Sequence, residues 1–498
     1  LNTMDDHTLK ISDLCLKKYE ELSKNGKPEV GKQWTALAGV VKQGTIIYLN
    51  CDIPDGGTYE VVAIGSGTTC LGESQMRPDG LILHDSHAEV IARRSFIRYL
   101  YHEIKSTWNS TSSTIFNKLI DGKCCLKPGI SFHFYTSNTP CGDATIFPVT
   151  VNQTTPVNQT HPVNGTTTVN QTTPVNQTHP VNQTQPANQT TPVNQTTPVN
   201  QTHPVNQTHP VNQTHFVNQM KINQNKHKLP IPDTVAAKKL CPDIQLGANN
   251  SHYDVNRTGA KCLAGEPQDL HVIGSNFHCV GCLRTKPGRG EATASMSCSD
   301  KILRWNITGW QGGLVSTLVS TPVYMRSIVV GGMADIQALR RAFYGRMDLN
   351  SLDFLHHTRY HLHLPIIQRT DSKFKFYKSS LDRNELKPNG SALSWCKVPC
   401  NGLEVAAKSG FRLGTVKKHE GKPRSSTFIS RWNLFRMFKE VMEVIPDCEL
   451  KSDFQALEVK SYRNCKLLAK DYFNTWSDVK DKVLGNWATH SGELDLFT

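Results

Sequence analysis

The sequence predicts an α/β fold. Strand-like stretches rich in β-branched residues alternate with helical stretches, and a short-period polar repeat divides the globular sequence in two. Residues 33–50, QWTALAGVVKQGTIIYLN, and 59–65, YEVVAIG, read as strands. Residues 87–105 read as a helix, because Val90, Ile91, Ile97, Leu100, Tyr101 and Ile104 fall near helical spacing. SFHFYTS at 131–137 reads as a strand leading into Pro140, a residue suited to the first position of a helix. SDKILRWNITGWQGGLVSTLV opens a further helix, and SIVVGG at 327–332 is a further strand. Near the C-terminus, 427–445 and 461–484 read as helices.

The repeat occupies residues 151–219, with the unit V-N-Q-T-x-P and a period of six. A hexapeptide period can mean a β-helix. Each unit here offers a core one Val and carries a Pro that withholds a ladder hydrogen bond. Such a segment buries too little apolar surface to offset its ordering entropy. A disordered insertion is therefore expected over 151–248, between a first part at 1–150 and a second at 249–498. The many N-x-T triplets follow from copying one hexapeptide.

Lys and Arg number 55 against 42 Asp and Glu, a formal charge of +13. That excess suits a polyanionic partner such as RNA, and also fits a mildly basic soluble protein. No apolar stretch is long enough to span a bilayer, and LNTMDDHTLKISDLCLKKYEEL lacks the apolar core of a signal peptide. An intracellular protein of the nucleus or cytoplasm is expected, without membrane association. The 15 cysteines, an odd number in a long chain, argue for reduced thiols with a few metal ligands.

Two stretches carry chemistry. In HDSHAEVIARRSFIRYL at 84–100, His87 and Glu89 stand at the start of a helix. His binds zinc and a neighbouring Glu can shuttle protons, although the pair alone also fits a solvated first turn. In TPCGDA, Cys141 follows Pro140, and a Cys at a helix N-terminus has its thiolate stabilised. Zinc deaminases pair H-x-E with P-C-x-x-C, but here Ala144 stands where the second Cys belongs. The third ligand has two main candidates: the pair Cys279 and Cys282, which spacing alone favours, and Cys298 in SMSCSDKILRWN. Cys396 and Cys400 form a weaker pair.

DSHAEVIARRSF, TPCGDA and SMSCSDKILRWN, in that order, resemble the catalytic domain shared by adenosine deaminases acting on RNA and tRNA-specific adenosine deaminases. GSGTTCLG, RTGAKC and RTKPGRG add to the likeness, which spans the chain outside 151–248. The resemblance implies a cytidine-deaminase-like mixed sheet flanked by helices. It also implies zinc on His87, Cys141 and Cys298, with Glu89 as general acid and base. RTGAKC and KPGRG look like the tRNA-specific branch, and the catalytic pattern is already running by Trp34, which leaves no room for separate RNA-binding domains ahead of it. The implied substrate is the adenosine immediately 3′ of the anticodon in alanine tRNA, and no protein partner is implied. Editing of double-stranded RNA and a non-catalytic zinc protein that binds RNA are the rival readings.

Read alone, Arg93 with Arg94, and Lys301 with Arg304, fit solvated helix faces. The resemblance implies instead that inositol hexakisphosphate is enclosed by a helical C-terminal part. Its implied ligands are Arg93, Arg94, Lys301, Arg304 and Trp305, then Lys417 or Lys418, Tyr462, Lys466, Tyr472 and Trp487. Three positions depart from the family pattern: His84 for Asn, Thr69 for a Lys facing RNA, and His490 near a frequent Lys.

Overall fold

The computed structural model describes residues 2–44, 57–109, 113–150, 253–378 and 386–498, apart from 258, 264–265, 267, 270–277, 289–290 and 490–491. The expected insertion at 151–248 and His490 lie outside these residues.

Helix α1 (Asn2–Glu21) opens the chain. The site-bearing elements follow as β1 (Leu37–Gly44), β2 (Thr58–Ser66), β3 (Asp85–His87), α2 (Ala88–Trp108) and β4 (Ile130–Thr136). Then come β5 (Phe147–Thr150), β6 (Tyr253–Asn256), α3 (Cys298–Thr308), α4 (Gly313–Leu318), β7 (Met325–Val330) and β8 (Ile366–Arg369). The last are β9 (Ala392–Cys396), β10 (Leu403–Ala406), α5 (Arg431–Val444), α6 (Tyr462–Lys466) and α7 (Lys470–Val479).

Seven strands form one mixed sheet in the order β8-β7-β4-β1-β2-β9-β10. The β8, β7 and β4 strands run parallel, and the remaining neighbours are antiparallel. Helices cover both faces, which is why LAGVV in β1 is buried without interruption rather than alternating. Ala38, Val40 and Phe134 pack with Phe96 and Leu100 of α2; Leu37, Val41 and Tyr135 pack with Ile11, Cys15 and Tyr19 of α1. The register of β1 and β2 shifts at Val62, so Val62 and Ala63 join the same core beneath α2.

Gly65 sets how closely α2 lies on the sheet. A Cβ there would fall 2.3 Å from the Ala92 nitrogen and 2.7 Å from the Ala88 oxygen. A side chain at this point would lift the N-terminus of α2 from the sheet, and with it His87 and Glu89.

Three expectations need correction. Pro140 does not start an α-helix: a single 3-10 turn, Asp143–Thr145, follows it. Gly142 takes φ +106°, and the Asp143 carboxylate is drawn to the Gly281 amide at 2.6 Å and to Arg341 Nε at 3.0 Å, so the chain cannot coil onward. The helix expected over 461–484 is broken into α6, α7 and a five-residue π-helical turn, Lys480–Leu484. Ala469 breaks it at φ −90°, ψ 47°, where it is buried against Tyr360 and Tyr472. Within 427–445 the helix begins only at Arg431, because Ser430 caps it by accepting from the Asn433 amide at 3.1 Å.

Glu404 of β10 is buried, and burial pushes its carboxyl up to about 7, against the opposing pull of the Phe428 amide and Arg412. A raised acid pKa stabilises the fold below the ordinary value of 4.5, and that stability is lost as pH rises through about 7. Glu404→Gln removes the titration. Its melting temperature is expected to gain on the wild type by about 2 °C or more between pH 5 and 8. A constant difference across that range would show that Glu404 does not titrate there.

Candidate active site

Three elements converge beneath the edge of α2. His87 ends β3 and is the N-cap residue of α2; Cys141 lies on the loop after β4; Cys298 is the first residue of α3. Their ligating atoms all lie within 4.8 Å of one another, and no other such group of three occurs among the described residues. His87 Nδ1 is 3.8 Å from Cys141 Sγ and 3.7 Å from Cys298 Sγ. Tetrahedral zinc at its ordinary bond lengths needs N···S edges of about 3.6 Å, so the donor set fits such an ion. Cys279, Cys282, Cys396 and Cys400 take no part.

The loop approaches α3 through Gly142, where a Cβ would fall 2.2 Å from Ser297 Oγ and 2.5 Å from Ser299 Oγ. This close approach lets the Cys298 amide donate to Cys141 Sγ at 3.3 Å. The helix terminus that favours the Cys141 thiolate is therefore that of α3, not one following Pro140. Hydrogen bonding from Cys298 holds the Cys141 thiol well below its usual range, and His87 and Lys286 act in the same direction.

Glu89 sits one residue inside α2, buried, with Oε2 accepting from Cys298 Sγ at 3.1 Å. Burial raises its carboxyl, and the charge on Cys141 adds to this. It stands against the metal-binding group without being needed as one of its three donors. A carboxyl so placed can exchange a proton with a molecule in the pocket.

Behind the ligands lies a buried ionic network. Asp85 accepts from Lys286 Nζ at 2.9 and 2.7 Å, from Ser295 Oγ at 3.1 Å, from Lys301 Nζ, and from the His87 amide at 3.1 Å. Burial opposes its charge, but Lys286 and Lys301 outweigh that and hold it well below the usual carboxylate range. In α3, Ser297 caps the helix at Asp300, and the Asp300 carboxylate holds Arg346 and the Arg284 amide. Asp85→Asn leaves the buried Lys286 ammonium and the half-buried Lys301 ammonium without their counter-charge. It is expected to destabilise the protein by about 3–5 kcal/mol, read by denaturant unfolding, and to weaken metal binding about 10- to 100-fold.

On the far side of Lys301 lies a cavity of two lobes, about 320 and 460 Å³, which share Arg93, Arg94, Arg304, Trp305, Arg431 and Lys466. Tyr462 and Tyr472 line the first lobe; Lys301, Lys480 and Trp487 line the second. Arg93 stacks on Trp305 at 4.7 Å and Arg304 on Trp476 at 4.5 Å. The carboxylate Asp495 holds Arg431 at 2.7 Å and Lys466 at 2.6 Å, while Asp85 closes the wall at Lys301. The Nε atoms of Arg93 and Arg304 are buried without a hydrogen-bond partner. Burial pulls Arg93 and Arg94 down to about 10, with Arg304 and Arg431 adding to the strain of like charge. So many half-buried cations with so few carboxylates are a donor set suited to a polyanion.

The structure thus gathers every residue expected of the inositol phosphate site except one pair. Lys417 and Lys418 are exposed on a single 3-10 turn and line neither lobe. From that part of the chain it is Arg431 that lines both lobes. The pair Arg431-Trp432 repeats the Arg304-Trp305 pattern and was a usable signal. Lys286 and Asp85 were also missed as partners, since nothing in the spacing joins positions two hundred residues apart. His84, a departure from the family pattern, is held by Arg431 at 3.1 Å and by the Arg77 amide at 3.3 Å.

The adenosine-deaminase (editase) domain model matches residues 63–491. The chain belongs to this family. As an editase-family member it is a hydrolytic deaminase. It is 35% identical to mouse tRNA-specific adenosine deaminase 1 over 94% of the chain and 95% of that protein. It is 34% identical to the human protein of that name, over 98% and 99% respectively. The Drosophila melanogaster double-stranded RNA-specific editase Adar is 25% identical over 99% of the chain, which spans 55% of that editase.

Proposed function

We propose that this deaminase converts adenosine to inosine in tRNA and depends on zinc, with the adenosine immediately 3′ of the anticodon in alanine tRNA as its target. The observation that carries the reading is the buried carboxyl of Glu89 set 3.1 Å from Cys298 beside the His87, Cys141 and Cys298 donors. A site that held zinc only for structure has no use for such an acid. The full-length match to the tRNA enzymes, against about half of the editase, favours tRNA over double-stranded RNA.

His87, Cys141 and Cys298 would hold the zinc, which would supply a water of lowered pKa as the nucleophile for C6 of adenine. Glu89 takes the proton that the water gives up and passes it to the purine ring. Once the water oxygen is bonded to C6, the same carboxyl moves the remaining hydroxyl proton to the exocyclic nitrogen, so that the C6–N bond breaks, ammonia leaves and the base is left as hypoxanthine. The target base must leave its stack, which an anticodon loop makes easier because its bases are unpaired. Asp85 holds the His87 backbone and ties the centre to Lys301 on the cavity wall.

The cavity fits inositol hexakisphosphate, held by Arg93, Arg94, Lys301, Arg304, Arg431 and Lys466 with Tyr472 and Trp487 at its edges. The test of function incubates wild type and Glu89→Ala with total unmodified tRNA and reads inosine as guanosine by reverse transcription. A Glu89-dependent change beside one anticodon supports the reading. No change in any tRNA, with zinc bound, overturns the tRNA assignment.

A further inference from the structure

The segment 408–424, KSGFRLGTVKKHEGKPR, carries six Lys and Arg residues and a single carboxylate, Glu420. All six cations are exposed. Arg412 stands 3.7 Å from Glu404, whereas Lys417, Lys418, Lys422 and Arg424 have no carboxylate partner among the described residues. A solvated charge run needs no apolar neighbours, yet Leu413 and Val416 lie between these cations 38% and 50% exposed. These two aliphatic groups add apolar area to a face that is otherwise cationic.

The placement of this segment matters more than its charge. It packs on residues 77–84, the stretch that runs directly into β3 and His87. The Leu83 amide donates to Gly410 at 3.0 Å, and the Trp432 amide, just beyond the segment, donates to Gly80 at 3.0 Å. Gly421 approaches Arg77 so closely that a Cβ would lie 2.7 Å from its guanidinium. Arg77 is half-exposed and ion-paired with Asp79 at 2.7 Å, so it joins the segment to the stretch before β3 without adding an unpaired cation.

We infer that the face built from residues 408–424 and Arg77 binds the phosphate backbone of the RNA whose base enters the zinc site. This rests on the tRNA reading above. Phosphate contacts position a nucleic acid without reading its sequence, and a fixed basic face beside the catalytic strand holds the backbone while one base is extruded. An anionic membrane would also attract this face, but a membrane has no reason to dock beside His87.

The test uses the full-length protein with Lys417, Lys418, Lys422 and Arg424 all replaced by Ala, and a companion with the three lysines replaced by Arg. Exposure of all four predicts an unchanged melting temperature. Binding of unmodified tRNA is measured by fluorescence anisotropy over a range of salt, with kcat and KM for inosine formation. The alanine variant is expected to raise Kd and KM at least about 10-fold, with the slope of log K against log salt shallower by about 2 to 3. Its kcat at saturating tRNA stays near the wild-type value, and the arginine variant keeps wild-type affinity. Wild-type Kd and salt slope in the alanine variant, with editing intact, overturn this surface and leave the proposed function standing. A wild type that neither binds nor edits any tRNA overturns both. Unchanged tRNA affinity with loss of binding to phosphatidylserine vesicles reassigns the face to a membrane and overturns the RNA inference.

Discussion

Glu89→Gln is expected to retain its metal and lose turnover by ~100- to 10,000-fold, the range typical of general acid–base catalysis. Glutamine is close in size and polar, so residue 89 keeps its buried place beside Cys298. What is lost is the ability to take and return a proton. Zinc content by mass spectrometry should equal that of the wild type, and inosine formation at saturating tRNA gives kcat. Full zinc with near-wild-type kcat would show that another group moves the proton. Loss of zinc would make Glu89 a support for the metal instead.

The second large effect concerns the cavity beneath the site. Each buried cation without counter-charge costs several kcal/mol even after relaxation, while a folded domain is stable by only about 5–15 kcal/mol. Asp495 already serves both Arg431 and Lys466, and Arg93 and Arg304 stack on aromatic rings with their Nε atoms unpaired. Protein carboxylates alone leave this half-buried cluster short of counter-charge. Acid extraction of purified native protein is therefore expected to release inositol hexakisphosphate in stoichiometric amount, as read by phosphate analysis and chromatography. Deleting residues 461–498 removes Tyr462, Lys466, Tyr472 and Trp487 from the walls and should leave no soluble folded protein. A phosphate-free, fully stable wild type would refute this account.

Strands β1, β2, β4 and β7 were legible as runs of β-branched and aromatic residues, as in AGVV of β1 and SIVV of β7, whereas β8, β9 and β10 of the same sheet were not read. Helix α1 was not read from sequence, although Ile11, Cys15 and Tyr19 fall at helical spacing. Its many charges concealed that stripe. The zinc donors were only partly legible. His87 and Cys141 lie in short recognisable motifs, but spacing favoured Cys279 and Cys282 for the third position, and only the family resemblance pointed to Cys298. Three-dimensional closure, with Gly142 against Ser297 and the Cys298 amide on Cys141, is invisible to local spacing. The same limit explains Lys417. A lysine in a loose motif carries no sign of whether it faces a cavity or solvent.

The β5 and β6 strands pair antiparallel, with Thr150 opposite Tyr253, so the residues on either side of the long repeat-bearing stretch are hydrogen-bonded neighbours. Partners in such a ladder stand about 5 Å apart. The deaminase thus asks of that stretch only that its two ends meet. The number of hexapeptide copies is therefore expected to be free to vary without cost to the reaction, and deleting residues 151–219 is expected to leave the rate of inosine formation unchanged.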